Sequence, residues 1–113
     1  MKKWILISVM LLLSGCAASE STWQKEGNWY QVGYHDALAG HSQRSYKSLA
    51  TLGSVKLSDY EQGYQQGLEQ YCNPNAAYQI GLSGQYYEGI CEGTEQALRF
   101  RMEWQRGWNE YNQ

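Results

Sequence analysis

The sequence predicts an all-α fold: a small helical domain of about four short helices, with an aromatic and glycine-rich core and one disulfide, behind a cleaved lipoprotein signal peptide. Three observations carry this. Apolar and aromatic residues recur at helical spacing in separate segments bounded by Asn, Ser, Pro and Gly. Small residues repeat every fourth position along those same segments. Two cysteines, Cys72 and Cys91, lie beyond the leader and the Cys16 that follows it.

Residues 1–15 read as the leader. Met1-Lys2-Lys3 is a positive start, and Trp4 to Leu13 is an apolar run. That run is short of the roughly 20 apolar residues a spanning helix needs. A short, positively led apolar run followed by small residues is a secretory signal. Its end, Leu13-Ser14-Gly15-Cys16, resembles a bacterial lipobox: an aliphatic residue, two small residues, then cysteine. The resemblance implies lipidation of Cys16 and cleavage before it. One acyl chain holds a membrane only reversibly, whereas several hold it firmly. In lipoproteins of this type Asp after the cysteine favours retention in the inner membrane; here Ala17 follows it, so the resemblance implies the outer membrane, facing the periplasm.

Lys2 and Lys3 leave with the leader, so the remaining chain carries seven Lys and Arg against eleven Asp and Glu. An acidic domain does not present the basic face that nucleic acid requires. Nor does it offer a polybasic patch to anionic lipid. The expected membrane tie is covalent. In an oxidising compartment a remaining cysteine pair is read as a disulfide. Joining Cys72 to Cys91 closes a loop of about 20 residues, worth roughly 3 kcal/mol in the chain-entropy model. The alternative is a metal site shared with His35 or His41, although the spacing does not match the short Cys-x-x-Cys of zinc sites. No metal and no cofactor is expected.

Residues 16–26 read as a lipidated N-terminus and short polar tether, and 27–113 as one domain. Asn28 is the expected N-cap of a first helix running to Gly40, with Trp29, Gly33, Ala37 and Gly40 on one face. The segment from His41 to Leu57 has no sustained period and reads as a connector, with a helical turn around Tyr46 to Leu52. Ser58 and Glu61 fit a capping box for the next helix. Its stripe is Tyr60, Tyr64, Gly67, Leu68 and Tyr71. Asn73 and Pro74 open a third helix, with Gly84 near its end. Gln85 to Gly93 reads as a loop that brings Cys91 to Cys72. Thr94 is the expected cap of a last helix carrying Ala97, Phe100, Trp104, Gly107, Trp108 and Tyr111 as its buried stripe.

A small-aromatic-x-x-small-Leu pattern occurs at Gly33-Tyr34, Gly63-Tyr64 and Ala77-Tyr78, at unequal offsets that exclude a solenoid. After residue 15 the chain has 15 aromatic residues but only 11 Val, Leu and Ile. Interior glycine costs about 1 kcal/mol against alanine in a helix. Gly33, Ala37, Gly63, Gly67, Gly81 and Gly107 are therefore read as packing positions that open grooves, expected to be filled by Tyr and Trp rings.

Taken together, the spacing resembles a family of small Gram-negative lipoproteins catalogued as domain of unknown function 2799. The resemblance rests on Trp29-x-x-x-Gly33-x-x-Asp36-Ala37-x-x-Gly40 and on Tyr60-x-x-Gly63-x-x-x-Gly67-Leu68-x-x-Tyr71-Cys72. It continues through Gly81-x-x-Gly84-x-x-Tyr87-x-Gly89-Ile90-Cys91 to Phe100-x-x-x-Trp104-x-x-Gly107. Ala37, Trp104 and Glu92 depart from the residues such proteins tend to carry. The resemblance implies a fold and an envelope location but no activity.

The residues themselves suggest little catalysis. His35 and Asp36 are adjacent, so on a helix they point about 100° apart and form no dyad. Asp36 is expected to cap a neighbouring backbone or to pair with Arg or Tyr. Glu88, Glu92 and Glu95 form an acidic run near Cys91 and read as a solvated face rather than a glycan-cutting pair. No nucleophile elbow, zinc-protease helix or phosphate loop is present. The expectation is a non-catalytic envelope lipoprotein, not an enzyme, acting as a structural or protein-interaction module with an envelope protein partner. The alternative is a binder of peptidoglycan or other envelope polysaccharide. It would use Trp23, Trp29, Tyr30, Tyr86 and Tyr87 as exposed stacking platforms. An inhibitor of a periplasmic hydrolase is a third reading.

Overall fold

The computed structural model describes residues 20–113, and the described chain is all-helical, with six helices and no strand. They are α1 (Glu20–Lys25), α2 (Trp29–Leu38), α3 (Tyr46–Ala50), α4 (Leu57–Tyr71), α5 (Pro74–Leu82) and α6 (Ala97–Tyr111). Cys16 and the leader lie outside the described residues.

Local chemistry sets most boundaries. The Asn28 side chain accepts from the Gln31 amide to start α2. Asn73 accepts from the Asn75 amide to start α5, with Pro74 in its first turn, where no intrahelical donor is lost. Gly40 and Gly84 follow α2 and α5 at φ +80° and +84°, a left-handed geometry that side chains resist. Two expected caps differ. Helix α4 begins at Leu57 after Lys56, so Ser58 lies inside its first turn rather than at its cap. Helix α6 begins at Ala97 after Gln96, while the Thr94 hydroxyl donates to the Cys91 carbonyl in the preceding turns. The stretch read as tether also differs, since Glu20–Lys25 is helical. Six residues cannot hold a helix by propensity alone. Here Trp23 stacks on the His35 ring of α2, with centroids 4.3 Å apart.

Helices α2 and α4 form one pair and α5 and α6 another. Contacts advance in the same direction along both partners. Gly63 meets Tyr30 and Gly67 meets Tyr34; likewise Asn75 meets Arg99, and Gly84 meets Tyr111. Both pairs are therefore parallel, and the chain between partners must run back the length of a helix. Residues 39–56, with α3, make the first crossover, and residues 83–96 make the second.

Glycine sets the closeness of each pair. A methyl group on Gly33 would lie 2.0 Å from the Tyr60 carbonyl oxygen, and one on Gly63 would lie 1.9 Å from that of Tyr30. The second pair repeats this. Gly81 faces the Trp104 carbonyl at 2.1 Å and Gly107 that of Tyr78 at 2.0 Å, by the same construction. The unit is aromatic-x-x-Gly, once per helix: Tyr30/Gly33, Tyr60/Gly63, Tyr78/Gly81 and Trp104/Gly107. Each glycine lies on the backbone of the partner's aromatic residue, close enough for Cα–H···O contacts. The grooves thus hold a neighbouring helix backbone, not the Tyr and Trp rings expected from sequence. This register also replaces the one that matched Ala77-Tyr78 to Gly33-Tyr34. Gly67 and Ala37 complete the first interface, with the Gly67 methyl position 2.9 Å from the Ala37 Cβ.

Rings fill the space beneath each pair instead. Trp29, Val32, Ala37, Leu49, Tyr60 and Tyr64 form one buried cluster. Tyr71, Cys72, Ala77, Tyr87, Cys91, Phe100 and Trp104 form the other. Leu68 packs against both. Cys72, just after α4, is bonded to Cys91 in the second crossover, with S–S 2.05 Å. The disulfide therefore ties the end of one pair to the crossover of the other.

Candidate functional site

The polar groups concentrate where the two crossovers meet. Asp36, on the last turn of α2, accepts a two-pronged pair from Arg44: Nε to Oδ2 at 2.9 Å and Nη2 to Oδ1 at 3.0 Å. Such a planar fork is a geometry that lysine cannot supply. The Tyr60 hydroxyl donates to Asp36 Oδ2 at 2.6 Å and accepts from the Arg44 amide at 3.0 Å. Tyr64 donates to the His41 carbonyl at 2.8 Å. Helices α2 and α4 thus clamp the start of the first crossover.

Glu88 brings the second crossover against the first. Its carboxylate accepts from the Ser42 amide at 3.2 Å and the Ser42 hydroxyl at 3.4 Å, and lies 3.3 Å from His41 Nδ1. The Gln85 side chain donates to the Ala39 carbonyl at 3.0 Å. A shallow cavity of about 360 Å³ lies among Asp36, His41, Ser42, Arg44 and Glu88. The His41 and Ser42 hydrogen bonds hold the Glu88 carboxyl below its usual range. Burial pushes the Tyr60 phenol up to about 12 and raises that of Tyr64. Both carboxylates, Asp36 and Glu88, are engaged by hydrogen-bond partners across the junction. Tyr71 is the exception among buried polar groups: its hydroxyl, beside Gly40, has no hydrogen-bond partner among the described residues.

The acidic run separates by partner. Glu88 serves the first crossover, whereas Glu92 accepts from the Tyr87 hydroxyl at 2.8 Å and pairs with Arg101 at 2.5 Å. Glu95 is exposed. His35 stacks on Trp23 and is not joined to Asp36 chemistry. Cys72 and Cys91 are bonded to each other, which excludes them as metal ligands, and no His, Cys, Asp or Glu group among the described residues has metal-site geometry.

The five aromatic candidates divide. Trp29 is buried, with its indole N–H donating to the Ser54 carbonyl at 2.9 Å, so it is core and not a platform. Tyr87 is also buried, its hydroxyl accepting from the Cys91 amide. Both corrections have one cause: each ring packs into the cluster beneath a helix pair, Trp29 from α2 and Tyr87 from the second crossover. Trp23 is half-buried against His35. Tyr30 and Tyr86 remain open, at 37% and 67% exposure. Tyr86 stands edge-on to Trp104 and Trp108. Tyr30 borders a groove of about 640 Å³ lined also by Ser58, Glu61, Gln62, Gln65 and Gln66 of α4. No helix among the described residues is long and apolar enough to cross a membrane.

Two parallel helix pairs, joined by a disulfide and a shared polar junction, define a small all-helical domain with a stapled frame. The chain belongs to the family described as Protein of unknown function (DUF2799), whose model matches residues 28–109. That span runs from the cap of α2 into α6 and takes in all four aromatic-x-x-Gly units. The chain is also similar to the "Uncharacterized protein YfiL" of Escherichia coli (strain K12). The two are 30% identical over 113 residues, covering 97% of this chain and 93% of that protein. No solved structure matches.

Proposed function

We propose that the protein is a non-catalytic lipoprotein of the cell envelope. It is anchored at Cys16 in the outer membrane, faces the periplasm, and docks on an envelope protein. The anchor reading rests on Leu13-Ser14-Gly15-Cys16 behind a positive, apolar leader. The docking reading rests on one observation: the charged groups at the crossover junction are committed to one another, while an open groove remains beside Tyr30. A disulfide in the frame supports an oxidising location.

The glycan alternative draws support mainly from Tyr30 and Tyr86, because Trp29 and Tyr87 are core residues and Trp23 is stacked on His35. Photo-crosslinking from residues at the Tyr30 rim, in intact envelopes, tests the main reading. A discrete protein adduct supports it. Adducts only with sacculus fragments would replace it with the glycan reading. Intact mass of the membrane-extracted chain tests the anchor separately: loss of residues 1–15 with added acyl mass is expected, and Cys16→Ser is expected to remain unlipidated.

A further inference from the structure

The two helix pairs share one arrangement, and they differ in what covers the outward tyrosine. Matching Tyr60/Gly63 of α4 to Trp104/Gly107 of α6 sets Ser58, Glu61, Gln62, Gln65 and Gln66 against Met102, Gln105, Arg106, Asn109 and Glu110. The same match sets Tyr30 of α2 against Tyr78 of α5, since both carbonyls receive the partner glycine. The groove beside α6 is lined by Arg101, Met102, Gln105, Arg106 and Asn109, so it occupies the corresponding position to the Tyr30 groove.

In the second pair the chain covers the tyrosine itself. The Arg106 guanidinium lies over the Tyr78 ring, 4.0 Å from its centroid. The Tyr78 hydroxyl donates to the Glu110 carboxylate. In the first pair those two covering positions are Gln62 and Gln66, and no cation of the described chain lies over Tyr30. A carboxylate, Glu61, stands on the groove wall and makes no ion pair among the described residues.

We propose that the Tyr30 groove receives an arginine side chain from a protein partner, with the guanidinium over the Tyr30 ring and paired to Glu61, as Arg106 lies over Tyr78 in the internal copy. A flat, weakly hydrated cation suits a phenol face flanked by a carboxylate and carboxamide oxygens. A neutral sugar hydroxyl can hydrogen-bond to Glu61 but does not neutralise its charge, as a guanidinium does. This deepens the protein-docking reading and rests on it, but is independent of the lipid anchor.

The test is a titration of the full-length, isotope-labelled chain in detergent micelles with the peptide acetyl-Gly-Arg-Gly-amide, read by amide NMR shifts. The expected result is saturable shifts confined to Tyr30, Glu61, Gln62, Gln65 and Gln66 and their neighbours. The peptide with neutral citrulline in place of arginine is expected to lose them, as is the Glu61→Gln variant. The double variant Gln62→Arg, Gln66→Glu rebuilds the internal cover; it is expected to keep the native spectrum elsewhere and to lose the response. Equal shifts with the citrulline peptide, stronger shifts with an N-acetylglucosamine oligomer, or no local shifts with the arginine peptide would each overturn the assignment. Crosslinked protein at the rim with no arginine response would remove this site while leaving the docking reading intact.

Discussion

Gly63 lies against the backbone of Tyr30, and Gly33 against that of Tyr60, so each helix of the first pair is indented where the other presents a carbonyl. The relationship is reciprocal and recurs between Gly81 and Trp104 and between Gly107 and Tyr78. It makes a sharp prediction about sign. An exposed helical glycine changed to alanine gains about 1 kcal/mol of stability. Here the methyl would meet a backbone oxygen that cannot swing aside, so the helices must separate. Gly63→Ala and Gly33→Ala are each expected to lose about 3 kcal/mol or more, at or beyond the upper end of ordinary overpacking. Reversible chemical unfolding measures it. A raised midpoint for either variant would contradict the packing assignment.

Gly27 supplies the control for that experiment. It has φ +71° and no atom near its methyl position. Alanine there meets only the left-handed backbone cost, about 1–2 kcal/mol. Gly27→Ala is therefore expected to be milder than Gly63→Ala in the same assay, although Gly27 is the residue with the unusual dihedral.

The disulfide joins residues 19 apart and links the α4 terminus to the second crossover. Reduction is expected to lower stability by about 3 kcal/mol. The loss is expected to fall first on the Gln85–Ala39 and Glu88–Ser42 bonds, because Cys91 positions the crossover that carries Gln85 and Glu88. Hydrogen exchange at the Ser42 amide, with and without reductant, reads this directly. Unchanged protection at Ser42 would mean that the crossovers hold together without the bridge.

Much of this frame is legible in the sequence, and the exceptions have physical causes. The stripes of α2, α4, α5 and α6 follow from period, and Asn28, Asn73, Pro74, Gly40 and Gly84 punctuate them with short-range chemistry. What could not be read is which surface fills a glycine groove, because a ring and a backbone demand the same small residue. Helix α1 was hidden because tertiary contacts, Trp23 on His35 and on the first core cluster, help to hold it. Arg44 sits in a connector without period, so its fork onto Asp36 depends on a chain reversal that local pattern does not encode. Trp29 is different. It shares a helix face with Gly33 and Ala37, and that spacing already marked it as core rather than platform.

The Asp36–Arg44 pair is expected to matter for the crossover more than exposed ion pairs do. Asp36 and Arg44 side chains are 13% and 27% exposed, against 60% and 36% for Arg106 and Glu103. Arg44→Lys keeps the charge but removes the fork, and is expected to cost about 1–2 kcal/mol, whereas Glu103→Gln, which breaks the exposed pair and leaves Arg106 over Tyr78, is expected to cost less. Thermal melts of the two variants side by side check the ranking. Equal effects would mean that the junction contributes no more than surface charge.

The tyrosines set the alkaline limit. Tyr60 and Tyr71 are pushed up to about 12, chiefly by burial, with nearby carboxylates Asp36 and Glu88 adding to the effect. Tyr87 is raised further, by burial and then by its bond to Glu92. In the unfolded chain these phenols ionise near their ordinary value of about 10. Below that pH both states are protonated, so the full stability is present. Above it the unfolded chain releases protons that the folded chain still holds, and stability falls as pH rises from about 10 through about 12. Tyr71→Phe separates two contributions. It removes a titrating group, so the alkaline fall is expected to become shallower. It also removes a buried hydroxyl with no partner among the described residues, so stability at pH 7 is expected to stay level or rise by about 1 kcal/mol. Tyr60→Phe also flattens the alkaline fall but is expected to lose about 1–2 kcal/mol at pH 7, because its hydroxyl bonds to Asp36 and the Arg44 amide. Circular dichroism against pH and urea resolves both variants. A loss at neutral pH for Tyr71→Phe equal to that for Tyr60→Phe would show that the Tyr71 hydroxyl is bonded after all.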